Sequence, residues 1–212
     1  MRYLLDHPDI VWQRTLEHLQ LVGVAILIAT LIGVPLGILI SKVRWLALPV
    51  LNITGVLYTI PSLAFFAIMI PYMGIGTTTA TVALAVYSLL VIVRNTAAGL
   101  DEVPAATIDA SRGMGMTGFQ RLTQVELPLA LPYILTGIRI STVAAIGIAV
   151  IAAVIAAGGL GRLIFDGIRR LDTDLIVTGS VMAILLALIA DFLLSRAAVV
   201  VRRDLRGSAQ EA

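Results

Sequence analysis

Cysteine is missing from all 212 residues, which removes disulfides and thiolate metal sites. Histidine occurs twice, at His7 and His18, both ahead of the first long apolar run. The paired histidines on one helix face that an intramembrane metalloprotease requires are therefore absent, and both are expected to be solvated or interfacial. The one lysine is Lys42, after Ser41, so no Gly-Lys-Ser or Gly-Lys-Thr exists to hold phosphates and nucleotide hydrolysis by this chain is not expected. No serine lies in a Gly-x-Ser-x-Gly turn, so a serine hydrolase is not expected either. Charged residues make up only 13% and the formal net charge is +2, which implies no nucleic-acid partner.

What the chain has in excess is apolar length. Hydrophobic residues make up 59% and the mean hydropathy is +1.00, the composition of an integral membrane protein. A bilayer core about 30 Å thick needs about 20 apolar residues per helix. Apolar windows of that length with few or no charges predict five spans in one domain over 1–212, at about 18–41, 46–70, 76–99, 130–158 and 175–198, with a polar loop at about 100–128. The runs are continuous in Leu, Ile, Val and Ala without the alternation of a membrane barrel, so the fold is expected to be all-α. The first twenty residues are polar and lack a signal peptide's apolar core and cleavage site, so the first span is expected to stay uncleaved.

An odd number of spans places Lys42, Arg44, Arg112, Arg121, Arg202, Arg203 and Arg206 on one side and Arg2, Arg14, Arg162, Arg169 and Arg170 on the other. Seven against five favours an external N-terminus and a cytoplasmic C-terminus, with the polar loop in the cytoplasm. Arg94, Arg139, Asp191 and Arg196 fall within spans and are read as snorkelling side chains or members of structural ion pairs. Gly33 and Gly37 form a small-residue pair suited to close helix packing.

The polar loop carries the most specific pattern. Pro104 suits the first position of a short helix that Gly113 and Gly115 interrupt. Thr117 with Gln120 has the spacing of a capping box for a second helix, predicted to end near Pro128. Asp109-Ala110-Ser111, then Gly115, then Val125-x-Leu127-Pro128 resembles the EAA loop, EAA-x3-G-x9-I-x-LP, of ABC importer permeases, with Asp109, Ser111 and Val125 as conservative departures. The resemblance implies a type I ABC importer-like fold and a cytoplasmic coupling helix seated in a groove of a separate ATPase. Asp109 then supplies charge, Ala110 and Ser111 a small face, Gly115 the turn, and Met114 and Met116 apolar filling for the groove.

Thr59-Ile60-Pro61-Ser62-Leu63-Ala64, Gly74-Ile75-Gly76, Tyr87-Ser88-Leu89-Leu90, Val93-Arg94-Asn95-Thr96, Arg112 to Thr117, Val125 to Pro132 and Ala156 to Gly161 are similar to the osmoprotectant subgroup. That likeness covers about residues 50–170 and implies glycine betaine, choline or carnitine as substrate. It also implies an ATPase dimer that uses ATP and Mg, a second copy or a homologous permease, an extracytoplasmic binding protein, surrounding lipid and a prokaryotic inner-membrane location, with no cofactor on this chain. Tyr58, Thr59, Pro61, Ser62 and Asn95 are the candidate translocation path, although the proline can equally mark a satisfied kink. Aromatics are 6% of the chain, too few to read out a cage for a quaternary ammonium, so Tyr58, Phe65, Phe66, Tyr72 and Tyr87 are read as interfacial anchors, with weak cation-π contacts along the path as the alternative. The rival class is an ion-coupled carrier or channel, which needs no ATPase.

Overall fold

Long runs of unbranched and small apolar residues with few internal breakers make helices, and prolines and paired glycines set where they bend or stop. A computed structural model describes the backbone of residues 2–208 and the side chains of residues 2–200. The order is α1 (Arg2–Asp6), α2 (Pro8–Lys42), α3 (Ala47–Thr59), α4 (Ser62–Met73), α5 (Thr77–Asp101), α6 (Ala105–Gly113), α7 (Gly118–Arg121), α8 (Leu127–Ile151), α9 (Leu160–Arg170) and α10 (Thr173–Ser208). Arg202, Arg203 and Arg206, counted in the charge balance, lie outside the residues whose side chains are described.

Among the described residues four helical units are long and apolar enough to cross a membrane: Pro8–Lys42, Thr77–Asp101, Gly118–Ile155 and Thr173–Val200. A fifth crossing exists if the bent pair Arg44–Thr59 and Ser62–Met73 is one span. The fold is thus all-helical with four to five spans, as the composition requires. Three local features depart from the sequence reading. The helix of the first span, α2, starts at Pro8 and runs 35 residues, so the polar N-terminal arm is helical, with Pro8 in its first turn where the missing N–H costs nothing. The second span is not one rod but two helices meeting at 100°. Pro61 drives Ile60 to φ −65° and ψ 129°, out of the helical region, and so ends α3.

The third departure is at Pro128, where the loop's second helix does not end. A π-helical turn over Leu122–Glu126 joins α7 to α8, and Leu127 N–H donates to Leu122 O. That wider turn shifts the hydrogen-bond ladder by one residue just ahead of a proline that has no N–H to give.

α5 is the central helix, packed between α2 and α8, with α10 against α8 and α9. Gly33 and Gly37 are where α2 meets it: a Cβ on Gly37 would stand 2.5 Å from Thr96 Cβ, and one on Gly33 2.9 Å from Ile92 Cγ2. Gly37→Ala is therefore expected to cost about 1–3 kcal/mol by overpacking, measured as a lower unfolding temperature in detergent. Gly23→Ala on the same helix meets nothing within 4 Å and should show no loss.

Phe65, Phe66 and Tyr87 are buried in this core rather than anchored at an interface, and Tyr72 alone of the five aromatics is almost fully exposed. Their depth comes from α4 folding back onto α5, a long-range contact that composition does not reveal. Arg139 and Asp191 make a two-point ion pair at 2.6 and 2.8 Å that ties α8 to α10, and the Arg196 guanidinium lies 5.0 Å over the Phe192 ring.

Candidate functional site

Between the long α5 and the α7–α8 unit the chain leaves the bundle for a short, mostly exposed helix, α6, whose C-terminal end is closed by local chemistry. Pro104 is the residue before the helix, at φ −58° and ψ 132°, rather than its first residue. At the far end Met116 N–H donates to Ser111 O at 3.2 Å and Gly115 N–H to Arg112 O at 2.9 Å. With Gly115 at φ +76°, this is a Schellman ending, which satisfies two carbonyls the helix would otherwise leave open. The predicted capping box follows at once: Gln120 N–H donates to Thr117 Oγ1 at 3.3 Å, and Thr117 N–H to Gln120 Oε1 at 2.8 Å.

Between these closures Asp109 and Ala110 are exposed, and Asp109 pairs with Arg112 at 3.3 Å. Ser111 is buried, its hydroxyl donating to Ile108 O at 2.7 Å, so it packs beneath the helix and does not share the outer face with Ala110. Met114 is 72% exposed and Met116 half-buried. Phe119, which the motif does not single out, is 75% exposed five residues beyond Met114 and makes a second apolar prominence. The signal was available: a large aromatic two residues after a capping threonine in a polar stretch has no core of its own to enter.

The loop is tied to the bundle by Glu126, only 2% exposed, whose carboxylate accepts from Lys42 at the end of α2 and from Arg121 Nε of α7 at 3.0 Å. Nearby, Arg44 meets Asp101 at 3.1 Å, which pins the start of α3 to the end of α5.

A second set of residues meets at the α3–α4 elbow. Tyr58, Thr59 and Pro61 are exposed and Ser62 is half-buried. Thr59 Oγ1 donates to Val56 O at 2.7 Å. The Tyr87 hydroxyl donates to Ile60 O, the carbonyl just before the proline, so the break in the ladder is satisfied from α5. Tyr87 also stands edge-on to Tyr58 at 6.1 Å and to Phe65 at 5.4 Å between ring centroids. Asn95 is not at the elbow. It lies about 12 Å further along α5, its amide turned back to Val91 O at 2.8 Å, where α8 crosses so closely that a Cβ on Gly137 would be 2.7 Å from Asn95 Cβ.

The opposite end of the bundle holds what the sequence did not disclose. His18 is fully buried, not solvated: Leu160 N–H donates to its Nδ1 at 3.3 Å and its Nε2 lies 3.1 Å from Ile146 O. One neutral tautomer, protonated on Nε2, meets both partners. Glu17 accepts from Gly159 N–H at 3.0 Å and from Arg14 at 2.8 Å. Together they hold the glycine turn that starts α9. Beside them is an open cavity of about 520 Å³ lined by Arg14, Glu17, Gln20, Thr77, Thr81 and Arg162, among others.

A family model described as "Binding-protein-dependent transport system inner membrane component" matches residues 29–207. The chain is 48% identical over 205 residues to the osmoprotectant import permease protein OsmW of Salmonella typhimurium strain LT2, covering 94% of this chain and 95% of that protein. It is 37% identical over 195 residues to the glycine betaine/carnitine/choline transport system permease protein OpuCB of Bacillus subtilis strain 168, covering 92% and 90%. Among solved structures, an inward-facing MetNI methionine ABC transporter superposes with a TM-score of 0.83 at 26% identity, covering 91% of this chain and 96% of that one.

Proposed function

The chain belongs to the family of binding-protein-dependent transport system inner membrane components, and on that premise we propose that it carries an osmoprotectant such as glycine betaine, choline or carnitine into the cytoplasm. It is a multi-pass inner-membrane subunit, and the family implies that ATP is used by a partner ATPase. The observation that carries the reading is the loop: a nine-residue helix closed at its C-terminus by the Gly115 turn, with Asp109 and Ala110 outward on it and Met114 and Phe119 outward just beyond it, is built as a projection rather than a slack connection.

In this reading the projection seats on one member of an ATPase dimer in the cytoplasm, the N-terminus lies outside, and a second permease copy or a homologue completes the passage. An extracytoplasmic binding protein delivers the solute. Closure of the ATPases on ATP and Mg moves α6, Glu126 passes that movement to α2 and α8, and the α3–α4 elbow reorients. The substrate assignment is supported by relatives whose names specify osmoprotectants over nearly their whole length.

The test is reconstitution in liposomes with candidate ATPase and binding-protein partners, reading uptake of the three labelled solutes. Uptake that needs ATP and the binding protein is the expected result. Gradient-driven uptake by the chain alone would replace the importer with a carrier.

A further inference from the structure

Two contacts pin α3 alongside the second half of α5. At one end Arg44 meets Asp101, and at the other the Tyr87 hydroxyl meets Ile60 O. Asn52 stands eight residues from both Arg44 and Ile60, and Arg94 stands seven from both Asp101 and Tyr87. The two are thus at the same level, about 10 Å from either pin. Both are exposed. Among the described residues neither has a hydrogen bond or ion pair with another side chain.

That level lies inside α5, a helix long and apolar enough to cross a membrane. An unpaired guanidinium and a free carboxamide facing hydrocarbon are costly, so such groups turn to water, to a partner or to a ligand. Snorkelling to the nearer, loop-side surface is disfavoured for Arg94. Side chains on a helix tilt toward its N-terminus, and the loop lies at the C-terminal end of α5. Arg94 therefore leans toward the elbow, where Tyr58 exposes its ring. The broken backbone at Ile60 and Pro61 lies at that same end of α3, its Ile60 carbonyl held by the Tyr87 hydroxyl.

We infer that Arg94, with Asn52 at the same level, is the carboxylate-binding group of the passage and that this chain discriminates among solutes by it. A guanidinium offers paired donors that match a carboxylate in a way a lysine cannot, and the face of Tyr58 suits a quaternary ammonium. Glycine betaine and carnitine carry both groups, whereas choline carries a hydroxyl in place of the carboxylate. The inference rests on the proposed osmoprotectant function and adds a selective role for the permease itself.

The experiment compares wild type and Arg94→Gln in liposomes with the same ATPase and binding protein, reading uptake of labelled glycine betaine, carnitine and choline. Because the binding protein is constant, a changed ratio belongs to this chain. Arg94→Gln is expected to lower glycine betaine and carnitine uptake at least tenfold and to leave choline within about twofold, with Arg94→Lys between. An equal fall for all three at unchanged membrane content overturns the inference in favour of a fixed ion pair with a neighbouring subunit. No change for any of them overturns it in favour of a lipid-facing side chain. A wild type that moves choline but neither carboxylate overturns it while keeping the proposed function, and one that moves none of the three, with ATPase still stimulated, removes both.

Discussion

Gly115→Val is expected to abolish uptake while the protein still inserts and accumulates in the membrane. Gly115 sits at φ +76°, where a β-branched residue is a steric outlier costing about 1–3 kcal/mol. Escape from that strain opens the bonds from Gly115 N–H to Arg112 O and from Met116 N–H to Ser111 O, about 1 kcal/mol each. α6 has nine residues and only Ser111 is buried, so little tertiary packing resists the change. A loss of about 3 kcal/mol lowers the population of the seated geometry more than a hundredfold, because each 1.4 kcal/mol is a factor of ten. Met114 on one side of the turn and Phe119 beyond it would lose their fixed relation.

The membrane helices do not share this dependence, since α2, α5 and α8 pack against one another without the loop. The measurement is uptake together with stimulation of the partner ATPase, at matched membrane content. Gly115→Asn is the informative companion, because asparagine tolerates the left-handed region far better than valine and should keep part of both activities. Full uptake by Gly115→Val would remove the loop from the mechanism, and an asparagine variant as inactive as valine would show that backbone conformation is not the cause.

The contrast between this turn and His18 explains what could be read from the chain alone. The Schellman ending and the capping box are made of residues within five positions of one another, so their chemistry is written in consecutive letters. The apolar spans were legible for a similar reason, since each satisfies its backbone internally and needs only length. His18 contacts residues 128 and 142 positions away, and Tyr87 bonds across to Ile60. Nothing local marks either as buried, and an isolated histidine in a polar arm reads as solvated until α8 and the α9 turn are placed around it. Pro128 failed in the other direction. A proline is a local stop signal, but the π-turn ahead of it absorbs the missing donor, and the helix continues because its apolar face is already committed to α5.

Glu126 belongs to the same class, a single carboxylate in a run of apolar residues whose partners lie on separate elements. It bridges Lys42 of α2 and Arg121 of α7 at the point where the loop enters α8, so movement of the loop reaches the first and fourth spans through it. Glu126→Leu removes the bridge and leaves Arg121, at 20% side-chain exposure, without its counter-charge. Breaking a buried pair costs about 3–5 kcal/mol, and the lower end applies here because Lys42, at 43%, can turn to water. A lower unfolding temperature in detergent and at least a tenfold fall in uptake are expected, with ATP hydrolysis by the partner persisting but no longer driving transport. Lys42→Met cuts the link to α2 but keeps the Arg121 contact, so it should fall between wild type and Glu126→Leu, which separates loss of the α2 link from loss of the whole bridge. If Glu126→Leu melted and transported like wild type, the carboxylate would be a bystander, and the movement of α6 would have to reach the bundle through the packing of Leu122 and Leu127 against Leu100, Ala130 and Ile134 instead.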